Sequence, residues 1–524
     1  MSSKYKPVVL AILDGFGIAP PSEGNAVSQA RKPVFDELVR YYPRTIIQAS
    51  GEEVGLPKFA VGNSEVGHMN LGSGRVMYQE LPRIDKAISD GSFFKNEAFL
   101  KAVDHVKKYG SNLHLLGLVS SGGVHSHIRH VYALLKLAKQ EKVKNVYIHA
   151  FTDGRDTPRK SGIDFISELE TQIKKTRLGK IATISGRYWA MDRDRHWDRI
   201  KKTYDALVKG IGPSFTSAKK ALKEAYAKEI YDEKVPPTVI TENKKPIAQI
   251  KDNDAAIFFD FRSDRAKQLT QALTLPEFKE FERGEQIANL FFVTMTEYEK
   301  GLPVKIAFPT LAVINSMGEI ISKAGLSQLR VAETEKYAHV TVFFNCGRID
   351  PYPGEDRKLI ASPPVASYDM QPEMSAHEIT LKLIEGLDSK KYDFLLINYA
   401  NPDMVGHTGN IAAAKRGIEK VDECLGKIVK KVLAQNGALI VTADHGNADV
   451  TINLITGEVD KEHSVNPVPF IVVAADKKQK SAQNTDLSLL SPIGLLSDVT
   501  PSLLELLGIE KPKEMTGISL LNLI

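Results

Sequence analysis

Three stretches of this chain bring carboxylate and imidazole side chains together without thiols: Asp403-Met404-Val405-Gly406-His407, the pair Asp444-His445, and His463. Oxygen and imidazole donors in that mixture suit a divalent ion such as Mn²⁺ or Zn²⁺. Several of them in neighbouring loops can hold two ions. Asp14, in Leu13-Asp14-Gly15, is a candidate to join them. Any one of these residues alone reads more readily as a cap, a turn residue or a satisfied surface group than as a ligand. Together they point to metal chemistry.

A serine offers the matching nucleophile. Ser64 lies in Val61-Gly62-Asn63-Ser64-Glu65-Val66-Gly67-His68, flanked by glycines and followed by a helix-compatible stretch. At a helix N-terminus, free N–H groups and the helix dipole favour a phosphate. A hydroxyl on a metal loses its proton and becomes a nucleophile. The competing reading of Ser64 is an ordinary N-cap, and His68 reads as structural. A third set, His125, Arg155, Asp156, Arg187, Arg193, Arg262 and Arg265, is rich in guanidinium groups, which bind phosphate and carboxylate in bidentate fashion. Such a set suits a small molecule carrying two anionic groups, and Asp156 is placed to exchange a proton with a substrate hydroxyl. Its alternative is a solvated ion-pair surface, strongest for Met191 to His196. Lys336 is either a mobile cation near a reacting phosphate or one side of a salt bridge.

The elements that must position these residues are apolar runs ending in them. Val8 to Leu13 leads into Asp14, Phe394 to Ile397 into Asp403, and Ala438 to Val441 into Asp444. Leu113 to Val119 leads into His125, Val146 to Ala150 into Arg155 and Asp156, Ile181 to Ile184 into Arg187, and Ile257 to Phe261 into Arg262. With amphipathic stretches between them, such as Ala412 to Ala434, these runs predict parallel sheets flanked by helices, with sites at the strands' carboxyl ends. The metal-type residues come from both ends of the chain and the anion-type residues from its middle. The reading is therefore a two-domain α/β protein, with residues 1–78 and 310–524 forming one discontinuous domain and 79–309 an inserted substrate-binding domain. Met77 to Pro82 and Gly301 to Pro309 are the expected linkers.

Bulk properties agree. At 524 residues the chain exceeds what one core usually serves, and its 43% hydrophobic and 25% charged residues are ordinary for a globular protein. A net charge of +5 without a long basic run argues against nucleic acid. Two cysteines, Cys346 and Cys424, form no CxxC pair, which excludes a thiolate zinc site and a disulfide framework. No signal-peptide run occupies Met1 to Pro7 and no stretch approaches membrane-spanning length, so the expectation is a cytoplasmic, monomeric protein with neither membrane nor nucleic-acid partners.

Leu13-Asp14-Gly15-Phe16-Gly17, Gly62 to His68, Gly122-Gly123-Val124-His125-Ser126-His127, Thr152 to Asp156, Phe261-Arg262-Ser263-Asp264-Arg265, Thr442 to Asn447 and Asn466-Pro467-Val468-Pro469, in that order, resemble the bisphosphoglycerate-independent phosphoglycerate mutases. These form a branch of the alkaline phosphatase-like metalloenzymes, and the resemblance covers essentially the whole chain. It implies an alkaline phosphatase-like α/β domain built from both chain ends, with a second α/β domain inserted. It also implies one metal ion on Asp403, His407 and His463 and another on Asp14, Ser64, Asp444 and His445. Manganese is the usual ion, and cobalt or zinc is accepted by the same ligands. The inserted domain would hold the substrate through His125, Arg155, Asp156, Arg187, Arg193, Arg262 and Arg265, with Lys336 joining from the metal domain. The implied reaction interconverts 3-phosphoglycerate and 2-phosphoglycerate through phosphoserine at Ser64, with no added 2,3-bisphosphoglycerate. Phe16 and Cys346 depart from the family pattern at positions that are not ligands. Rival readings are a metal-dependent phosphohydrolase, a sugar-phosphate mutase, or a binding protein with structural metals.

Overall fold

The computed structural model describes residues 5–310 and 312–524. The chain divides into two compact units, Met1–Gln79 with Ala312–Ile524, and Glu80–Leu311. Among the described residues no helix is long and apolar enough to cross a membrane.

The first unit holds an eight-stranded sheet in the order Glu355–Ile360, Gln328–Glu333, Phe394–Tyr399, Val8–Leu13, Ala438–Thr442, Val468–Ala474, Arg44–Gln48, Gly494–Leu495. The central strands are apolar runs buried along their whole length, as strands covered on both faces must be. Their register does the positioning. Val8–Leu13 runs parallel to both neighbours, pairing Leu13 with Tyr399 and Ile12 with Thr442. Three adjacent strands therefore end at one level, and the acids that follow them arrive together. The helix Ile411–Ala434 buries Ala414, Ile418, Val421, Leu425, Ile428 and Val432, the spacing of a sheet-covering face.

The second unit holds its own sheet, ordered Lys305–Ile306, Phe291–Thr294, Ala255–Phe258, Leu113–Leu118, Val146–Thr152, Lys180–Gly186, Thr238–Glu242, Ser214–Phe215, with Lys245–Pro246 paired beside Thr238–Glu242. Alternate residues go to separate cores. Leu113, Leu115, Ala255 and Ile257 join one hydrophobic cluster, while Leu116, Leu118, Ala256 and Phe258 join another. That division is the two-residue period of a strand with apolar cover on both sides.

The α/β class stands, but the sheets are not wholly parallel. Val468–Ala474 runs antiparallel to Ala438–Thr442, and Thr238–Glu242 antiparallel to Lys180–Gly186. For the first of these pairs the reason is connectivity. No helix lies between Thr442 and Val468 to carry the chain back across the sheet, so the next strand returns from the same end.

Candidate active site

Ser64 is the first residue of the helix Ser64–Ser73, but it is not the cap. Asn63 is, its side chain accepting from the Val66 N–H. The Ser64 hydroxyl is thereby released from the capping role and faces Asp14 Oδ1 at 3.3 Å, Lys336 Nζ at 2.8 Å and His445 Nε2 at 2.8 Å. Two glycines make room for this convergence. A Cβ on Gly62 would lie 2.6 Å from His445 Cβ, and one on Gly15, whose φ is +76°, would lie 2.7 Å from Asp403.

Asp14, Asp403 and Asp444 are all buried. Asp403 begins its approach from the short helix Asn401–Gly406, and His407 follows one turn later, so both face one way. His407 Nε2 and His463 Nε2 are 3.0 Å apart, and Asp403 Oδ1 lies 3.3 and 3.1 Å from them. Each ring is oriented from behind. His407 Nδ1 meets the Lys461 carbonyl at 2.7 Å, His463 Nδ1 the Gly62 carbonyl at 2.7 Å, and His445 Nδ1 the Gly446 carbonyl at 3.3 Å. A ring anchored through Nδ1–H presents Nε2 as a free donor, the usual arrangement of a metal-binding imidazole. Asp444 Oδ2 is buried without a hydrogen bond among the described residues, because His68 Nδ1 at 3.2 Å is engaged by the Ser64 carbonyl. An orphaned carboxylate oxygen beside inward-facing imidazoles fits a divalent cation. Ligand atoms of Asp403, His445 and His463 form one tight group, and those of Asp14, His68 and Asp444 another. His445 Nε2 lies 3.5 Å from Asp14 and 3.6 Å from Asp444, so it borders both.

Lys336 occupies the middle of this set on the helix Thr334–Ala338, directly after the strand Gln328–Glu333. Its Nζ is 2.6 Å from Asp14 Oδ1 and 2.6 Å from Asp403 Oδ2. Burial opposes its charge, but Asp14, Asp403 and Asp444 overcome that and hold the ammonium well above its ordinary pKa. Burial likewise opposes ionisation of Asp403, and Lys336 with His407, His463 and His445 reverses the sign, keeping it an anion. Asp14 is raised, by burial first and then by Asp444. The Asp403 carboxylate raises His407, and it raises His463 against the effect of burial.

The anion-type residues lie in the second unit at the ends of its central strands. Arg187 Nη1 bridges Asp153 at 2.7 Å and Asp156 at 2.5 Å. Burial disfavours its charge, and the two carboxylates more than restore it. His125, Arg193 and Arg262 gather instead around Asp264, at 3.7, 3.0 and 3.2 Å. Arg155 lies 3.6 Å from Glu233, and Arg265 donates to the Met191 carbonyl. Arg155, Arg187 and Arg265 share a cavity of about 260 Å³ whose walls also carry Arg199 and Lys234. Burial and the nearby Arg187 lower His125 to about 4, so its ring is neutral. Asp192, Asp194 and His196 also cluster, but Asp192 accepts from the Asp194 and His196 N–H groups, from the His196 ring and from Arg199. Its carboxylate is a loop brace.

His68, Asn398, Asn447, Asp153 and Asp264 also belong to these clusters, though their motifs alone assign them no role. His68 lies one turn after Ser64. The Asn398 amide donates to Asp14 Oδ2 at 2.8 Å and to His68 Nε2 at 3.0 Å, which puts the ring proton on Nδ1, toward the Ser64 carbonyl. Asn447 donates to Asp403 Oδ1 at 2.8 Å. The signal for His68 was its four-residue spacing from Ser64. For Asp153 and Asp264 it was their position beside arginines within the same motifs.

A family model described as BPG-independent PGAM N-terminus matches residues 84–300, and one described as Type I phosphodiesterase / nucleotide pyrophosphatase matches residues 338–483. The 2,3-bisphosphoglycerate-independent phosphoglycerate mutase of Clostridium beijerinckii is 54% identical, covering 98% of this chain and 99% of the relative. That of Acetivibrio thermocellus is 52% identical over 99% of each. A crystal structure of Leishmania mexicana phosphoglycerate mutase at low cobalt concentration matches with a TM-score of 0.54 and 34% identity, covering 98% of this chain and 97% of that one. With fold, residue set and full-length similarity in agreement, this chain belongs to the 2,3-bisphosphoglycerate-independent phosphoglycerate mutases.

Proposed function

We propose that this protein interconverts 3-phosphoglycerate and 2-phosphoglycerate by passing the phosphoryl group through Ser64, without added 2,3-bisphosphoglycerate. The observation that carries this reading is the freed Ser64 hydroxyl, within 3.3 Å of Asp14, Lys336 and His445. Asp403, His407 and His463, and Asp14, Ser64, Asp444 and His445, would hold two divalent ions, manganese in our reading, whose charge neutralises phosphoryl oxygens and acidifies the serine hydroxyl.

The remaining chemistry falls to the chain. Ser64 Oγ attacks the phosphorus in line, forming the serine–phosphorus bond as the bond to the glycerate oxygen breaks. Lys336, freed from Asp14 and Asp403 in part, turns its N–H donors to the phosphoryl oxygens. Asp156, once substrate has drawn Arg187 from it and it has taken a proton from solvent, gives that proton to the departing glycerate oxygen and later takes one from the other hydroxyl as it attacks phosphoserine. Arg155, Arg187, Arg193, Arg262 and Arg265 bind the carboxylate and the phosphate in transit, and neutral His125 donates or accepts without adding charge. Holding glycerate away from water is the task of the inserted domain, and it separates a mutase from a phosphatase. We place the enzyme in the cytoplasm, a reading supported by two free cysteines and the absence of a disulfide framework in the sequence.

Rapid quenching of metal-loaded protein with 3-phosphoglycerate, followed by phosphopeptide mapping, tests the proposal. It predicts phosphate on Ser64. Turnover with Ser64 unmodified at every time point would rule it out.

A further inference from the structure

Asn398 and His68 take no part in the proposed steps, yet both are 0% exposed and lie against groups that do. Ligand atoms of Asp14, His68 and Asp444 lie close enough together to suit a cation, which makes His68 a rival to the Ser64 hydroxyl for a place beside the ion. The hydrogen bonds around these two side chains decide between the rivals.

Asn398 lies on the strand Phe394–Tyr399, opposite Ile12 of Val8–Leu13, so its amide reaches the carboxylate that follows Leu13. One Nδ2 hydrogen goes to Asp14 Oδ2 at 2.8 Å and the other to His68 Nε2 at 3.0 Å. Turned the other way, the amide would set its Oδ1 against the Asp14 carboxylate, acceptor facing acceptor. Asn398 Oδ1 is itself buried and has no hydrogen-bond partner among the described residues. The amide thus leaves its own acceptor unmatched to keep both donors on Asp14 and His68, the kind of local sacrifice found at functional sites.

Both donations act across the site. The one to Asp14 occupies Oδ2 and leaves Oδ1 facing Ser64 Oγ at 3.3 Å and Lys336 Nζ at 2.6 Å. The one to His68 requires an unprotonated Nε2, so the neutral ring carries its proton on Nδ1, where it donates to the Ser64 carbonyl at 2.9 Å. Nδ1 is also the atom that faces Asp444, 3.2 Å from Oδ2. A ring nitrogen that carries a proton has no lone pair for a metal. The His339 ring, with its centroid 5.4 Å from that of His68, packs beside it.

We propose that Asn398 is a positioning residue: by holding the His68 proton on Nδ1 it keeps that ring out of the metal's ligand set and tied to the first turn of the Ser64 helix, while it aims Asp14 Oδ1 at the hydroxyl. The place that His68 would take beside the ion is thereby left to Ser64. The inference rests on the reading of Asp14, Ser64, Asp444 and His445 as one metal site.

Nitrogen-15 NMR of histidine-labelled full-length protein, metal-free and loaded with diamagnetic Zn²⁺, reads the state of each ring nitrogen, and His68→Gln identifies the His68 signals by their loss. The expected result in both forms is a protonated Nδ1 and an Nε2 that carries neither proton nor metal. Asn398→Leu, close in size but without donors, should move a measurable share of the His68 proton to Nε2. In calorimetry it should weaken one of two Mn²⁺ ions about tenfold to a hundredfold and leave the other nearly unchanged, the usual effect of losing a group that orients a ligand.

His68 with a protonated Nε2 in the wild type, or with metal on either nitrogen, would overturn the proposal whether or not the variant folds. So would Asn398→Leu that binds both Mn²⁺ ions as the wild type does. Wild-type protein that takes up two ions with the predicted ring state but does not isomerise 3-phosphoglycerate would count against the proposed activity and leave the role of Asn398 standing.

Discussion

In the discontinuous unit, three buried carboxylates, Asp14, Asp403 and Asp444, meet at the ends of adjacent strands with one ammonium, Lys336, among them. In the inserted unit the signs are reversed. Guanidinium groups converge there, and Asp153, Asp156 and Asp264 lie among them. Each cluster carries an internal counter-charge of the same sign as its intended ligand. Lys336 pairs with Asp14 and Asp403, and Asp156 and Asp264 pair with arginines; in our proposal bound cations on one side and a carboxylate or phosphate on the other would displace these partners. An unpaired buried charge costs several kcal/mol, so the buried members, Lys336 with its acids and Arg187 with Asp153, gain stability from their internal partners, while the half-exposed pairs of Arg193 and Arg262 with Asp264 gain little.

The sharpest break between the two units comes from Ser64→Ala. Mutase turnover should fall by about 10⁵-fold or more, with folding intact because Asn63 keeps the helix cap. A coupled assay and a melting curve check both halves. Asp156→Asn should lower kcat by about 10²- to 10⁴-fold and remove one limb of the kcat pH profile, since it deletes the proposed proton carrier but no ligand of the metals.

Lys336→Met probes the exchange of counter-charges directly. Its kcat should fall about 10²- to 10³-fold, while divalent-metal affinity measured by calorimetry should rise, because Asp14 and Asp403 lose their internal cation. A fall in both would break the symmetry argued above. Arg262→Ala, in the other cluster, should raise KM about tenfold to a hundredfold with little change in kcat, as expected for a charged hydrogen bond to bound substrate.

The smallest effect is a pH dependence. In the metal-free protein His407 and His463 are raised above 6.5 by Asp403, so the stability they add is fully present below that value and is lost as pH rises through their folded pKa values. The melting temperature of metal-free protein should fall by about 2 °C from pH 6 to pH 8, a modest size because His407 is partly exposed. Added Mn²⁺ should reverse the slope, since it binds the neutral rings.

Much of this arrangement was legible in residue order. Each apolar run followed by an acid or an arginine became a strand ending at one of the clusters, because a strand's carboxyl end is where an open α/β sheet exposes side chains. What could not be read was which partner each side chain meets. Asn63 and Ser64 are both good caps, and only backbone geometry assigns the cap to Asn63 and frees the serine. Asn398 looks like an interior strand residue, and it reaches Asp14 because strand pairing sets it opposite Ile12. Lys336 lies 322 residues from Asp14 along the chain, and no local pattern encodes that contact. Asp153 and Asp264 were visible inside their motifs, but a carboxylate beside an arginine reads as a surface ion pair; burial overturns that for Asp153, while the pairs of Asp264 with Arg193 and Arg262 are half-exposed.

The central claim is that one phosphoryl group passes to Ser64 and returns to the same glycerate. It can be tested most directly with 3-phosphoglycerate carrying heavy carbon in the glycerate and heavy oxygen in the phosphate, mixed with unlabelled substrate and metal-loaded protein. The account predicts 2-phosphoglycerate in which the two labels stay together. Product with labels scrambled between molecules, or heavy phosphate released to solvent faster than product forms, would contradict it.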